Sequence, residues 1–322
     1  MKTFLHKKFE LNLKDKLKIK TASALLLAVS GGQDSLCLLQ LCLDVYKHDN
    51  FKIGIIYIDH QWRHDTIHVT KHLINIIKNN QIQTYLYQIK PKIYSEIESR
   101  ELRYQILIQT AIKYNYNIIA TAHSCTDQVE TYLQYLVRGT SLDGINSLVW
   151  SRNINSNIRL IRPLLNFKRS EIIWFCRHFQ LPIWSDFSNF YYCSRRNRIR
   201  HELIPYLQHY FQGRIEDHIG QFLDSTYTDC EYLRQNTIKA YQKSRHPYLL
   251  ALNQAILFSQ HLAVQTRVLQ LFFLHNFHKP IPPKLLKKII STDKTRPNIN
   301  ETYSIFFNRI TVNYYNKWIF FK

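Results

Sequence analysis

Short apolar runs recur along the first two-thirds of the chain, and most are followed by a stretch with apolar positions at helical spacing. The run at 24–29 (ALLLAV) has the length and composition of a buried strand, and 36–46 has the spacing of a helix. The same pattern gives a strand at 52–58 (KIGIIYI), a helix at 64–79, a strand at 83–89, a helix at 98–114, a strand at 117–122 (NIIATA) and a helix at 126–137. It continues through 158–161 and a helix at 169–179. Repeated strand–helix units predict an α/β fold, an open parallel sheet with helices on both faces. From about Tyr210 the strands give way to helical periodicity. This lasts to about Ile290 and is punctuated by Pro280, Pro282 and Pro283. The tail 303–321 alternates in β fashion, with Asn308-Arg309 or Asn316-Lys317 as candidate turns. The pattern therefore predicts two domains: 1–210, and a smaller, mainly helical 211–322 with a short terminal β element.

Between the first strand and its helix lies Ser30-Gly31-Gly32-Gln33-Asp34-Ser35. A strand, a glycine turn and a helix N-terminus bring unpaired backbone N–H groups and the positive end of a helix dipole to one point. That is a place for an anion, usually phosphate. Gly31 and Gly32 let the backbone approach without a Cβ, and Ser30 and Ser35 offer hydroxyl donors. Asp34 beside phosphate makes sense with a cation such as Mg²⁺, or as a helix-start residue. No Gly-Lys-Ser/Thr follows, so this is not a Walker A loop. Asp59, His60 and Arg63 stand just past the strand 52–58, where parallel strands of an open α/β sheet present ligand-binding residues. His123 ends the strand at 117–122 in the same way.

Charge extends the reading. The 322 residues carry a net charge of +20 and a pI of about 9.7. A surplus of that size suits a polyanionic partner, because each Lys or Arg facing a phosphate releases counterions. An anionic membrane surface is the rival partner, but no apolar run is long enough to span a bilayer and no amphipathic basic helix stands out, so no membrane is implied. The six cysteines include no Cys-x-x-Cys pair, which signals neither a zinc site nor a redox dithiol, and a reducing compartment fits. The N-terminal twenty residues are basic but lack the apolar core of a signal peptide and the Ser/Arg bias of a transit peptide. Heavy use of Ile, Asn, Lys and Tyr, with only 7 Gly and one Met, is what an AT-rich genome produces, a plastid or a reduced bacterium.

Two further stretches carry chemistry. In HSCTDQVET, 123–131, Asp127 and Glu130 share a helix face. Such a pair suits Mg²⁺, a substrate ammonium, or simply a helix N-terminus. In 186–200 (DFSNFYYCSRRNRIR), Arg195, Arg196, Arg198 and Arg200 follow Tyr191 and Tyr192, with Asn197 among them. Arginine pairs bidentately with phosphate and aromatics stack on unpaired bases, so this stretch favours RNA or a triphosphate over a bland basic face.

The loop 30–35 resembles the Ser-Gly-Gly-x-Asp-Ser loop of the PP-loop ATP pyrophosphatases, whose fold is that of the adenine nucleotide α-hydrolases. An ordered set of motifs across about 22–207 resembles, more narrowly, the tRNA(Ile)-lysidine synthetase family. These are the loop; Asp59-His60-x-x-Arg63; Arg100-Glu101-Leu102-Arg103-Tyr104; Thr121-Ala122-His123 through Asp127-Gln128-x-Glu130-Thr131; Arg138-Gly139; Arg162-Pro163-Leu164-Leu165; Asp186-x-Ser188-Asn189; and Arg196-Asn197-x-Ile199-Arg200. The resemblance implies an ATP-dependent C–N ligase. ATP adenylates the C2 oxygen of the wobble cytidine of a CAU-anticodon tRNA(Ile), and free lysine displaces AMP. It implies ATP binding by Ser30, Gly31, Gly32, Gln33, Asp34 and Ser35, and lysine binding or catalysis by Asp127, Glu130, Arg196 and Arg200. Nucleotide or tRNA contact would fall to Asp59, His60, Arg63, Arg103, His123, Arg138 and Asn197, and Mg²⁺ to Asp34 and Asp127. No obligate protein partner is implied, and the compartment would be a plastid stroma or a bacterial cytoplasm.

The chain departs from that pattern at three places. Thr126 stands where the family has a first aspartate, Ser124 replaces a second histidine, and Trp62 replaces a leucine. If the missing aspartate binds metal, its task shifts to Asp34 and Asp127. Other readings are a tRNA thiolase, for which no suitable cysteine pair is present, and a non-catalytic tRNA-binding protein.

Overall fold

The apolar run after Ser23 becomes the centre of a six-stranded sheet in a computed structural model of the chain. The structure describes residues 2–19, 23–46, 52–59, 71, 74–75, 82–89, 96–183, 195–211, 213–293, 303–307 and 310–322. It divides into two compact units, Met1–Asp224 and Ser225–Lys322, with the division inside the long helix Ile215–Ser244.

In the first unit β1 (Ala24–Ala28) lies between β2 (Lys52–Asp59) and β4 (Ile118–Ala120). Beyond β2 comes β3 (Gln83–Gln88). Beyond β4 come β6 (Arg159–Ile161) and, at the edge, β5 (Ser151–Asn153). The order is β3-β2-β1-β4-β6-β5, and every pairing is parallel except β5 with β6. The sheet is thus the expected one with an antiparallel edge strand added. That strand is three residues long, too short to leave a periodicity.

Alternation along β1 decides which layer each leucine joins. Leu25 and Leu27 enter a core with Phe9, Leu38, Phe167 and Phe175, from helices Phe4–Leu11, Gln33–Tyr46 and Arg169–His178 and a connecting segment. Leu26 enters the opposite layer with Ile56, Leu107 and Ala111, under the helix Glu96–Lys113. Gly54 of β2 is held to glycine by packing: a Cβ there would lie 2.2 Å from the Tyr116 hydroxyl.

The N-terminal segment, basic in composition, is a helix. Phe4–Leu11 runs into a wider, π-helical turn at Asn12–Lys16, and Leu5 and Phe9 are fully buried. Asn12 Nδ2 donates to the Pro163 carbonyl at 2.9 Å and to Asn166 Oδ1 at 2.7 Å, which ties this helix to the segment after β6.

The second unit has its own core, in which Val268, Leu269 and Phe273 of the helix Leu262–Phe277 meet Leu285 and Ile289 of Pro283–Asp293. These helices accompany an antiparallel sheet in the order β7-β10-β9-β8. It contains β7 (Ala251–Asn253), β8 (Tyr303–Phe307), β9 (Ile310–Tyr315) and β10 (Trp318–Phe321). The tail reads as expected, with β9 and β10 joined at Asn316, whose φ is 50°. The region 210–290 is not free of strands, however. β7 pairs with β10 across more than sixty residues of sequence, a contact no local pattern announces.

Candidate active site

Strand order reverses between β1 and β4, so the loops leaving their C-terminal ends diverge and open a crevice, the usual ligand position in an open α/β sheet. The loop 30–35 leaves β1. Gly31 has φ 82°, a left-handed conformation that favours glycine. A Cβ on Gly32 would meet Ser30 Oγ at 3.5 Å, an ordinary contact, so packing within the chain does not require glycine there. Ser35 braces the turn: its Oγ donates to the Gly32 carbonyl at 2.9 Å and accepts from the Ser30 N–H at 3.1 Å. Ser35 is therefore buried scaffolding, while Ser30 is exposed at the mouth of the loop.

The helix Gln33–Tyr46 opens directly on Gln33 and Asp34. Gln33 Nε2 and Asp34 Oδ1 are both buried without a hydrogen-bond partner. Burial and the neighbouring charge of Asp127 raise the Asp34 carboxyl from the ordinary 3.8 to about 6, against the opposing pull of Arg169 and Arg200. Buried polar atoms are nearly always paired, so two orphans at one helix N-terminus mark a place built for something else.

The loop leaving β4 carries the acid pair. Ser124 caps the helix Cys125–Arg138: its Oγ accepts from the Asp127 N–H, and the Asp127 carboxylate Oδ2 returns the bond to the Ser124 N–H at 2.9 Å. The helix-start reading of Asp127 is thus correct as far as it goes. Its other oxygen, Oδ1, accepts from Arg196 Nη2 at 2.7 Å and Arg200 Nη2 at 3.2 Å. Glu130, fully buried, accepts from Arg196 Nε at 2.7 Å and Arg200 Nη2 at 3.0 Å on Oε2, and from Arg200 Nε on Oε1. Every carboxylate oxygen of the pair is filled, and the cluster of two acids and two arginines is neutral. Burial alone would raise Asp127, but Arg196, His123, the Ser124 N–H and Arg200 outweigh it and hold the carboxyl below its ordinary value. The same acids raise both guanidinium pKa values against the effect of burial.

His123 bonds Thr121 Oγ1 through Nδ1 at 3.0 Å. Burial, helped by Arg162, Arg196 and Arg100, pushes it down to about 4 against the pull of Asp127, so at neutral pH it is an uncharged imidazole. Thr126 donates to Glu216 Oε1 at 2.7 Å. An aspartate at 126 would face that carboxylate, which accounts locally for the threonine. Among the described residues no cluster of three His, Cys, Asp or Glu side chains could hold a metal ion.

The remaining sequence candidates are more scattered. Asp59 is the buried last residue of β2, Arg103 is exposed on the helix Glu96–Lys113, Asn197 is half-buried beside Arg196, and Arg138 is exposed at the end of the acid-bearing helix. His60, Arg63 and the tyrosines 191–192 lie outside the described residues, as do the helix at 64–79 and the turn at 308–309. One contributor was quoted only within the Arg162-Pro163-Leu164-Leu165 motif, and one escaped sequence reasoning. Arg162, buried at the end of β6, donates to the Val149 carbonyl at 2.6 Å. Arg169 opens the helix Arg169–His178 and acts on Asp34. A cation at a helix N-terminus opposes the dipole, and that misplacement was the available signal.

Comparison with known proteins identifies the family and the fold. The PP-loop domain family matches residues 5–207. The chloroplastic tRNA(Ile)-lysidine synthase of Gracilaria tenuistipitata var. liui is 45% identical over 99% of both chains. The tRNA(Ile)-lysidine synthase of the Nostoc strain PCC 7120 is 38% identical over 83% of this chain and 82% of its own. Among solved structures, the U34-tRNA thiolase NcsA of Methanococcus maripaludis superposes with a TM-score of 0.55 at 16% identity, covering 68% of this chain and 77% of that one, which is a likeness of fold.

Proposed function

Because this chain belongs to the tRNA(Ile)-lysidine synthase family of PP-loop enzymes, we propose that the crevice between β1 and β4 is where it joins lysine to a cytidine of tRNA. The enzyme is an ATP-dependent ligase acting on tRNA. In the proposed reaction the C2 oxygen of the wobble cytidine, in a tRNA(Ile) with a CAU anticodon, attacks the α-phosphorus of ATP and pyrophosphate leaves. The ε-amine of free lysine then adds at C2, and AMP departs with the oxygen. The product base, lysidine, pairs with A instead of G and changes codon reading from AUG to AUA.

The observation that carries this reading is the pair of buried, unpartnered atoms, Gln33 Nε2 and Asp34 Oδ1, at the N-terminus that follows the glycine turn. Phosphates of ATP would take the first-turn N–H groups and Gln33, with Gly32 leaving room for close approach. Asp34, with a free buried oxygen and a neighbouring negative charge, fits Mg²⁺ held jointly with those phosphates. Asp127 fits the ion less well, since both of its oxygens are already engaged. When bound, Mg²⁺ offsets charge on the phosphates.

Lysine would enter at the acid pair. Arg196, with 39% of its side chain exposed against 14% for Arg200, is the guanidinium free to move aside. Its place on Asp127 and Glu130 would go to the lysine ammonium, whose proton passes to the carboxylate pair as the amine attacks. Released from the acids, Arg196 would face charge developing on the departing phosphate. Neutral His123 would serve as a contact to nucleotide rather than as a cation.

The second unit would contact the tRNA body; exposed Lys284, Lys287 and Lys288 form a basic stripe on the helix Pro283–Asp293. A plastid stroma is the proposed compartment, in keeping with algal relatives named as chloroplastic. The direct test is Asp34→Ala: pyrophosphate release should cease while most tRNA affinity remains. Full turnover by that variant would remove Asp34 from the mechanism.

A further inference from the structure

The helix that carries the acid pair continues past it into a second concavity. A cavity of about 270 Å³ is lined by Gln134, Val137, Arg138, Arg195, Arg198 and Leu203, among others. Gln134 and Arg138 lie four and eight residues beyond Glu130, on the same helix face. Gln134 thus stands about 6 Å further along the helix axis than Glu130, and Arg138 about 6 Å beyond that. On its other side stand Arg195 and Arg198, which flank the Arg196 of the acid cluster. This hollow is thus the next space along from the reacting centre.

Its floor is apolar and its rim is cationic. Val137, in the lining, is 79% exposed. Arg138 and Arg195 have no acidic partner among the described residues. Arg198 shares Glu202, with Nε to carboxylate distances of 3.1 and 3.4 Å. Four residues past Glu202 comes Tyr206, 53% exposed, and four further Tyr210, 67% exposed, with ring centroids 4.8 Å apart. Phe211, also 67% exposed, has its ring 6.1 Å from that of Tyr206. Exposed rings grouped on the segment that follows the arginines of the cavity lining mark an interaction surface.

The chemistry selects the occupant. Phosphate satisfies guanidinium, and an unpaired base satisfies both an apolar floor and an exposed aromatic face. A duplex offers phosphates but keeps its bases stacked away from the rings. The cavity is slightly below the roughly 300–1,000 Å³ usual for small-molecule sites, which suits one base. We propose that this hollow and the tilted Tyr206–Tyr210 pair seat the unpaired anticodon-loop nucleotides next to the reacting cytidine, phosphates on Arg138, Arg195 and Arg198, bases on the apolar lining and rings. The proposal deepens the tRNA-modifying reading and rests on it.

Binding tests it without catalysis. A fluorescent RNA stem-loop with a CAU loop is titrated with wild type, Tyr206→Ala, Tyr206→Phe and Arg195→Ala, beside a blunt duplex of the same stem. Tyr206→Ala should weaken stem-loop binding about 5- to 100-fold, Tyr206→Phe should stay within about twofold, and duplex binding should hold for both. Arg195→Ala should weaken the stem-loop and flatten its salt dependence. Unchanged stem-loop affinity in Tyr206→Ala, or equal loss on duplex, overturns the seat. Wild type that shows this pattern yet attaches no lysine to tRNA would instead overturn the proposed reaction.

Discussion

Arg200 holds Glu130 with both arms of its guanidinium, Nε on Oε1 and Nη2 on Oε2, inside a site where the carboxylate has no exposure to solvent. Arg196 touches the same carboxylate once, from a far more exposed position. The two arginines should therefore fail differently. Arg200→Ala leaves a buried charge short of its main partner and should cost about 3 kcal/mol of stability, read by urea unfolding. Lysine at 200 should rescue little, because a point charge cannot span both oxygens. Arg196→Ala should cost less than about 1 kcal/mol of stability but lower kcat about 10²–10³-fold, the usual loss for one transition-state donor. Equal stability losses would mean that both arginines are structural.

Asp34 is held against its own preference. A rise in pKa from 3.8 to about 6 means that the ionised carboxylate opposes folding by at most about 3 kcal/mol at neutral pH. The native state binds the proton more tightly than the unfolded chain, so the penalty grows as pH rises from about 4 to 6 and is constant above. Asp34→Asn should be more stable than wild type at pH 7, lose that advantage towards pH 4, and be inactive. A variant that is both inactive and no more stable would show that the carboxylate carries no strain.

His123 gives a slope of opposite sign. Its folded value of about 4 lies below the ordinary 6.5, so the unfolded chain takes up a proton that the native chain refuses. Stability should fall as pH drops from about 6.5 towards 4 and level off below that, and His123→Gln should lack this contribution. Parallel stability–pH curves for the two proteins would mean that folding leaves the His123 imidazole unshifted.

The net charge of +20 predicts a steep salt dependence of tRNA binding. Affinity should fall at least about 10³-fold between about 50 and 200 mM salt if six or more phosphates are neutralised. A flat dependence would leave the basic surface without its partner.

Local sequence signals mark the candidate site but not its internal wiring. The loop 30–35 was legible because strand, glycine turn and helix start are contiguous, and Gly31 with φ 82° bears out the turn. The leucines of β1 were legible because a strand buried on both faces is a continuous apolar run. Pairings between distant residues were not. β5 and β7 are three-residue strands defined only by their neighbours. Spacing alone put Asp127 and Glu130 on one face and offered metal, ammonium or helix capping; that two arginines some seventy residues later fill their oxygens is a tertiary fact. Thr126 looked like the loss of a metal ligand, whereas its hydroxyl is spent on Glu216, ninety residues away.

Incorporation of radiolabelled lysine tests the account most directly. Purified protein, ATP and Mg²⁺ are given an isoleucine tRNA transcript with a CAU anticodon, or the same transcript with a wobble uridine. ATP-dependent label is expected in the first and none in the second. Label in neither, with tRNA still bound, would contradict it.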